Sequence, residues 1–278
     1  MDDLFPPFAP EPNEPKPRRF KPVPVRMIIP NMITLMAVCL GLTAVRFGFE
    51  GKFEPAVIAI VAAAVLDGVD GRVARLLKGT SRFGAELDSL ADFVNFGCAP
   101  ALILYSFVLH NLKSLGWIVA LIFAIAMALR LARFNVMLDD PNRPEWKKNF
   151  FVGMPAPAGA LTVMLPLYLH FLGFEMVPGL APVALIYMLV IALLVISTVP
   201  TFSGKTVGKR VPREYVLPIF VVTVAAFGLL ISFPFEILAL LSLGYLCAIP
   251  IGANQYRRRL KAEAAETASL PSDEAPAA

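Results

Sequence analysis

Eight apolar runs, each close to the length that crosses a lipid bilayer, follow one another along this 278-residue chain and leave few folds open to it. They cover residues 27–49, 53–77, 85–109, 115–137, 156–172, 180–200, 216–232 and 234–253, the fifth and seventh being short. A helix needs about 20 apolar residues at ~1.5 Å rise each to span the hydrocarbon. There every backbone N–H and C=O must find its partner within the protein, so a span is either a helix or a strand of a closed barrel. These runs lack the strict alternation of barrel strands. The expected fold is therefore all-α, a polytopic membrane helix bundle. Charged residues are only 17% of the chain, against about 25% in soluble domains, so the apolar surplus has to face lipid.

Charge placement is a separate test of that topology. With the amino terminus in the cytoplasm and eight crossings, 22 of the 25 Lys and Arg residues fall on the cytoplasmic side, leaving Arg46, Lys52 and Lys113 outside. So strong a bias over short loops follows the positive-inside rule and puts both termini in the cytoplasm. The basic balance is then matched to anionic lipid headgroups, with no nucleic acid implied. Residues 1–26 hold a Pro-rich arm that cannot form a stable helix, with Arg18, Arg19 and Lys21 approaching the headgroups. Residues 257–278 read as a basic, then acidic, disordered tail. Cys39, Cys98 and Cys247 sit singly inside apolar runs and read as packed thiols, without disulfide or zinc spacing.

Against this apolar background the second and third runs carry acids. Asp67 and Asp70 stand three apart, with Gly71, Ala74 and Arg75 on the same helical stripe; Asp88 and Asp92 stand four apart, with Gly84 one turn earlier. Two such stripes facing each other bring four carboxylates together. At ~4 Å and an effective dielectric of ~20, each like-charged pair costs about 4 kcal/mol, so the cluster needs protons or metal ions. Oxygen ligands of this kind suit Mg2+ or Mn2+ and not soft metals.

Written out, the pattern is D-x2-D-G-x2-A-R-x8-G-x3-D-x3-D from Asp67 to Asp92. It resembles the signature of the CDP-alcohol phosphotransferases, integral membrane enzymes that join an alcohol to a phosphate taken from a CDP-linked donor. Pro30-Asn31-Met32-Ile33-Thr34 resembles a second element of the family at the start of the first span. The resemblance implies a six-helix catalytic core over residues 27–205, with residues 206–256 adding two more transmembrane helices, and a homodimer. It also implies two divalent cations, with Asp67 and Asp88 shared between them, Asp70 on one and Asp92 on the other. Asp92 would additionally deprotonate the acceptor. Asn31, Thr34, Gly71, Arg75 and Ser81 take the places that hold the CDP-lipid. Gly68 reads equally well as a small residue at a helix contact.

The acceptor is written less plainly. The stretches Arg130-Leu131-Ala132-Arg133-Phe134-Asn135, Phe151-Val152-Gly153-Met154-Pro155 and Thr198-Val199-Pro200-Thr201-Phe202 resemble the branch of the family that transfers a phosphatidyl group from CDP-diacylglycerol to L-serine. Serine is a zwitterion whose carboxylate needs a cationic or amide partner, and Arg130, Arg133 and Asn135 are the candidates; each reads equally well as an anchor at the end of a span. Lys205 and Lys209 offer further positive charge. Glycerol-3-phosphate, an inositol phosphate or choline are alternative acceptors. A divalent-cation transporter is the reading from another class, opposed by the clustering of the acids at one end of the spans. His110 and His170 fall at the far end, away from the chemistry.

Overall fold

In a computed structural model, residues 25–138, 150–175, 177–202 and 213–269 are described. The Pro-rich arm through residue 24, and Lys205 and Lys209, lie outside these residues. Among the described residues the chain forms α1 (Val25–Phe49), α2 (Phe53–Leu76), α3 (Arg82–Phe107), α4 (Ser114–Leu138), α5 (Ala156–Val163), α6 (Leu165–Phe171), α7 (Ala181–Ile196), α8 (Arg213–Ser232) and α9 (Pro234–Ser269). Among the described residues five helices are long and apolar enough to cross a membrane: α1, α3, α4, residues 178–196 and the first half of α9. The protein is a polytopic all-α membrane protein. Helix α2 has the length but carries Asp67, Asp70, Arg72 and Arg75 near one end, and the fifth apolar run is broken into α5 and α6.

That break has a local cause. Pro166 has no N–H to offer the Thr162 carbonyl four residues back, and its ring crowds that turn. The Thr162 oxygen, deprived of that helical donor, accepts from the Met164 amide and from the Tyr187 hydroxyl of α7, which donates to it at 2.6 Å. The Leu161 carbonyl accepts from the Ser242 hydroxyl of α9 at 3.4 Å. Backbone polarity exposed by a proline inside an apolar bundle is thus covered by two other helices. Tyr187→Phe leaves the Thr162 carbonyl without that partner and is expected to lower stability by about 1–3 kcal/mol, read as a lower unfolding midpoint of the purified protein in detergent.

Helix α1 lies along α2 and crosses α3, α4 packs on α7, and α9 covers α5 and α6 while α8 leans on α9. The core between them is built from Ala56, Ile60, Phe96, Ile103, Phe123, Met127, Ala160 and Met188. Outward faces are equally apolar: Leu35, Ile58, Leu121, Ile125, Val183, Ile186 and Leu240 are exposed, the kind of surface a lipid bilayer covers. Cys39 and Cys247 belong to this outer surface, and only Cys98 is half-buried, so two of the three thiols are not the packed ones expected from sequence. Apolar character alone does not say which side of a membrane helix faces protein.

Two further departures from the expected picture are local. Residues Phe150–Val152 and Pro200–Phe202 pair as a three-residue antiparallel ladder, a small sheet in an otherwise helical protein. It joins the segments that follow α4 and α7, tying their ends together. Helix α9 continues through Ser269, so the stretch read as a disordered tail is helical from 257 to 269. The reason is propensity, because Arg257-Arg258-Arg259-Leu260-Lys261-Ala262-Glu263-Ala264-Ala265 consists of strong helix formers already nucleated by the span before it.

Candidate active site

Three helix ends and one turn build the site. Helix α2 ends in a Schellman motif: the Gly79 amide donates to the Ala74 carbonyl at 2.9 Å and the Lys78 amide to Arg75 at 3.2 Å. Lys78 takes the left-handed conformation (φ 50°) that glycine usually supplies at this position. Gly79 follows, its backbone lying so close to the Arg26 carbonyl of α1 that a Cβ would collide with it. Ser81 then caps α3, its hydroxyl accepting from the Gly84 amide at 3.0 Å. The chain is thereby turned so that the last stripe of α2 faces the first stripe of α3.

Between them, Asp67, Asp70 and Asp88 each present a carboxylate oxygen within 4.8 Å of the other two. The Asp92 carboxyl lies within hydrogen-bonding reach of Asp67, and its Oδ1 is buried with no hydrogen-bond partner among the described residues. Asp70 is almost wholly buried, and the Thr34 hydroxyl of α1 donates to its Oδ2 at 2.6 Å. Four hard oxygen ligands, one with an orphaned buried oxygen, fit a divalent cation and leave a bare cluster electrostatically unfavourable.

Beside the carboxylates opens a cleft of about 230 Å³. All five residues expected to hold the CDP-lipid line it: Asn31, Thr34, Gly71, Arg75 and Ser81, together with Asp70 and Asp88. Thr34 reaches the cleft with its hydroxyl engaged by Asp70. Gly79, Thr80 and Gly84 line the cleft too. A Cβ on Gly84 would stand 2.9 Å from Asn31 Oδ1 and 3.1 Å from Ser81 Oγ, so glycine there lets α1 and α3 close on the cleft. A Cβ on Gly71 would meet only Arg75 Nη1, at 3.7 Å, and would project into free space. Gly68 has nothing within 4 Å of its Cβ position, which removes the helix-contact reading given to it from sequence.

Arg130, Arg133 and Asn135 come from the end of α4 and behave differently from one another. Arg130 is 8% exposed and lies over the Phe134 ring at 5.4 Å, near enough to Asp92 for the two charges to act on each other. The Arg133 guanidinium donates to the Ile196 carbonyl at 2.8 Å and to Ser197 at 2.9 Å, holding the C-terminal end of α7. The Asn135 amide donates to the Ser89 hydroxyl of α3 at 2.9 Å. Arg130 is the one of the three whose charge reaches Asp92; Arg133 and Asn135 hold neighbouring helices, contacts between residues 46 to 64 positions apart that no local pattern announces. Ser89 was not among the residues singled out from sequence for that reason. His170 stacks with Phe107 and Phe171 among the turns at the opposite ends of these helices, remote from the acids.

A family model described as CDP-alcohol phosphatidyltransferase matches residues 27–199. The chain belongs to this family. A second model, described as CDP-alcohol phosphatidyltransferase 2, matches residues 214–250, a region the sequence reading had left outside the resemblance. Among similar proteins, the CDP-diacylglycerol–serine O-phosphatidyltransferase of Mycobacterium leprae (strain TN) is 41% identical over 238 residues, covering 83% of this chain and 76% of its own. The protein of the same name from Mycobacterium tuberculosis (strain ATCC 25618 / H37Rv) is 38% identical over 232 residues, 83% of this chain and 79% of its own. That of Helicobacter pylori (strain J99 / ATCC 700824) is 41% identical over 157 residues, covering 54% of this chain and 63% of its own. The family generally uses divalent metals, and among the described residues the aspartate cluster has the ligands to hold one.

Proposed function

We propose that this protein is a CDP-diacylglycerol–serine O-phosphatidyltransferase, which transfers the phosphatidyl group of CDP-diacylglycerol to the hydroxyl of L-serine and releases CMP. The observation that carries the reading is the juxtaposition of a four-aspartate cluster, a cleft lined by the CDP-contact residues, and one buried arginine. Names and lengths of the relatives support the acceptor assignment.

Two divalent cations, Mg2+ or Mn2+, would be held by Asp67 and Asp88 jointly, with Asp70 on one and Asp92 on the other. They supply charge neutralisation on the pyrophosphate and on the departing CMP. The remaining work belongs to the chain. Thr34 fixes the rotamer of Asp70, as an outer-shell partner does for a ligand. Asn31, Gly71, Arg75 and Ser81 hold the CDP moiety in the cleft, and the Arg75 fork pairs with phosphate oxygens. Asp92 accepts the proton of the serine hydroxyl as that oxygen attacks phosphorus. Arg130 balances the serine carboxylate, while Arg133 and Asn135 fix the walls of the acceptor pocket by holding α7 and α3. Direct in-line displacement is favoured, since neither histidine nor cysteine stands by the cleft to form a phosphatidyl-enzyme.

Purified protein supplied with CDP-diacylglycerol and Mg2+ should release CMP only when serine is added. Glycerol-3-phosphate, inositol phosphate and choline should not substitute; equal turnover with any of them would overturn the acceptor assignment and leave the family chemistry standing. Gly71→Ala adds a methyl group where the apo protein has room and the nucleotide does not, so the unfolding midpoint should hold while the KM for CDP-diacylglycerol rises at least tenfold, the result of steric loss of about 1.4 kcal/mol or more.

The site is assigned to the cytoplasmic face of the inner membrane, with both termini there. Arg46 and Lys52, two of the three outward cations, pair with Glu50 at 2.7 and 2.8 Å in the exposed turn between α1 and α2. These cations hold the Glu50 carboxyl below its usual range, the nearby Lys52 being the larger influence. In sealed cells an impermeant thiol reagent should label a cysteine placed at Lys52 or Lys113 and miss one at Lys78; the reverse pattern would invert the orientation. A homodimer is part of the same proposal.

A further inference from the structure

Two of the four clustered aspartates stand on a piece of helix with little packing to hold its rotation. The first part of α3, Arg82–Asp92, carries Asp88 and Asp92, yet Ala91 is the one fully buried residue in it, and Phe83 and Leu90 are exposed. Beyond Asp92 the α-helical ladder is interrupted by a π turn, Phe93–Cys98. The well-buried part of α3 that follows, with Ala99, Ile103 and Leu104, therefore fixes the earlier part less rigidly than an unbroken helix would. Small rotations matter here. A carboxylate held about 6 Å from the helix axis moves about 2 Å when the helix turns by about 20°, whereas ligand distances to a metal tolerate only about 0.2 Å.

The start of this segment is set by the Ser81 cap and by the close approach of Gly84 to Asn31. Near its end, one residue past Asp88 and three before Asp92, stands Ser89. Its hydroxyl donates to the Ala85 carbonyl one turn back, at 3.1 Å, and accepts from the Asn135 amide of α4 at 2.9 Å. A hydroxyl has one hydrogen to give and lone pairs left to accept with, so both bonds form at once. Each polarises the other. The chain of two bonds ties α4 to the backbone of α3, where a bond to the serine side chain alone would leave it free to swing.

We infer that Ser89 and Asn135 form a rotational lock on α3, two positioning residues that hold Asp88 and Asp92 at the angle a divalent cation requires. This rests on the reading of the aspartates as metal ligands. It gives Asn135 a task at the metal site in place of contact with the serine carboxylate. Because α4 also carries Arg130, one helix then sets both the acceptor side and the metal side of the site.

The test measures metal binding without substrate. Mn2+ is titrated into the full chain in detergent and the free ion read by electron paramagnetic resonance, for the unmodified protein, Ser89→Ala, Ser89→Thr, Asn135→Ala, the Ser89→Ala/Asn135→Ala double variant and Tyr187→Phe. Ser89→Ala and Asn135→Ala should each raise the Mn2+ Kd about tenfold, the lower end of what loss of an outer-shell partner brings. The double variant should bind within about twofold of either single one, since both changes remove the same bond. Ser89→Thr keeps the hydroxyl and should bind like the unmodified protein. So should Tyr187→Phe, which loosens the bundle away from α3. An unchanged Kd in Ser89→Ala sinks the inference, and so does a Ser89→Thr protein that binds as weakly as Ser89→Ala. Fully additive losses in the double variant sink it as well, because the two residues would then act separately, and an equal rise in Tyr187→Phe would trace the effect to lowered stability. Absence of Mn2+ binding by the unmodified protein would instead sink the metal reading on which it rests.

Discussion

Asp67→Asn and Asp88→Asn should each abolish CMP release while making the metal-free protein more stable. The two effects share one origin. Asp67, Asp70 and Asp88 hold carboxylate oxygens within 4.8 Å of one another, and Asp92 adds a fourth acid against Asp67. Without a cation these groups repel, and a neutral amide of the same shape removes part of that repulsion. With a cation the same change deletes an anionic ligand expected to serve both ions, a loss of several kcal/mol of charge stabilisation or about 10³ in rate. Two measurements check it. Turnover at saturating Mg2+ should fall below a tenth of the unmodified value, and retention of more than that would refute the shared-ligand assignment. The unfolding midpoint in chelator should hold or rise, and the upward shift that Mg2+ gives the unmodified protein should shrink, because stabilisation by a ligand scales with its affinity for the native state. An Asp variant that is inactive and also markedly less stable in chelator would show that the acid supports the fold and not the metal.

How much of this could be read from the chain depends on whether the signal is local. The spans were legible because hydrocarbon imposes one rule on every residue within it, and helices α1, α2, α3 and α4 begin and end within a few residues of the apolar runs. The acids were legible because helical spacing of three and four places them on one stripe without reference to anything else. What escaped depends on partners distant in sequence. A π-helical turn at Phe93–Cys98, just before Pro100, re-phases α3 after Asp92 and turns Asn95 inward, where a Cβ on Gly41 of α1 would collide with its side chain. Helical offsets counted from Asp88 do not carry through such a turn. Likewise Arg133 and Asn135 looked equivalent to Arg130 at the end of a span, and only the positions of Ile196, Ser197 and Ser89 show that they hold helices. The role of Met164 as the break in the fifth run follows from Pro166, visible in sequence, but the hydroxyls that make the break tolerable come from Tyr187 and Ser242.

The difference among those three α4 residues yields the second large effect. Arg130→Gln removes the buried cation at the end of α4 and should lower kcat/KM for serine by two to three orders of magnitude, mainly through KM, with the KM for CDP-diacylglycerol changed little. Truncating one member of a buried, charge-paired contact typically costs 2–5 kcal/mol, which sets that range. A ground-state contact to the acceptor registers in KM, whereas a group needed only in the transition state registers in kcat. Arg133→Ala should act elsewhere first. Its two donated bonds hold the carbonyls at the end of α7, at 2.8 and 2.9 Å, and hydrogen bonds from a charged donor contribute about 1.5–3 kcal/mol each. That variant should unfold at a clearly lower temperature, and its kinetic defect should shrink as the assay is cooled. Arg130→Gln should keep its kinetic defect at every temperature, whatever its midpoint, because the guanidinium it lacks acts on the substrate. If Arg130→Gln instead lost CDP-diacylglycerol affinity and kept its serine KM, the buried arginine would belong to the donor's phosphate, and the acceptor carboxylate would have to be met by another group along the walls formed by α3 and α7.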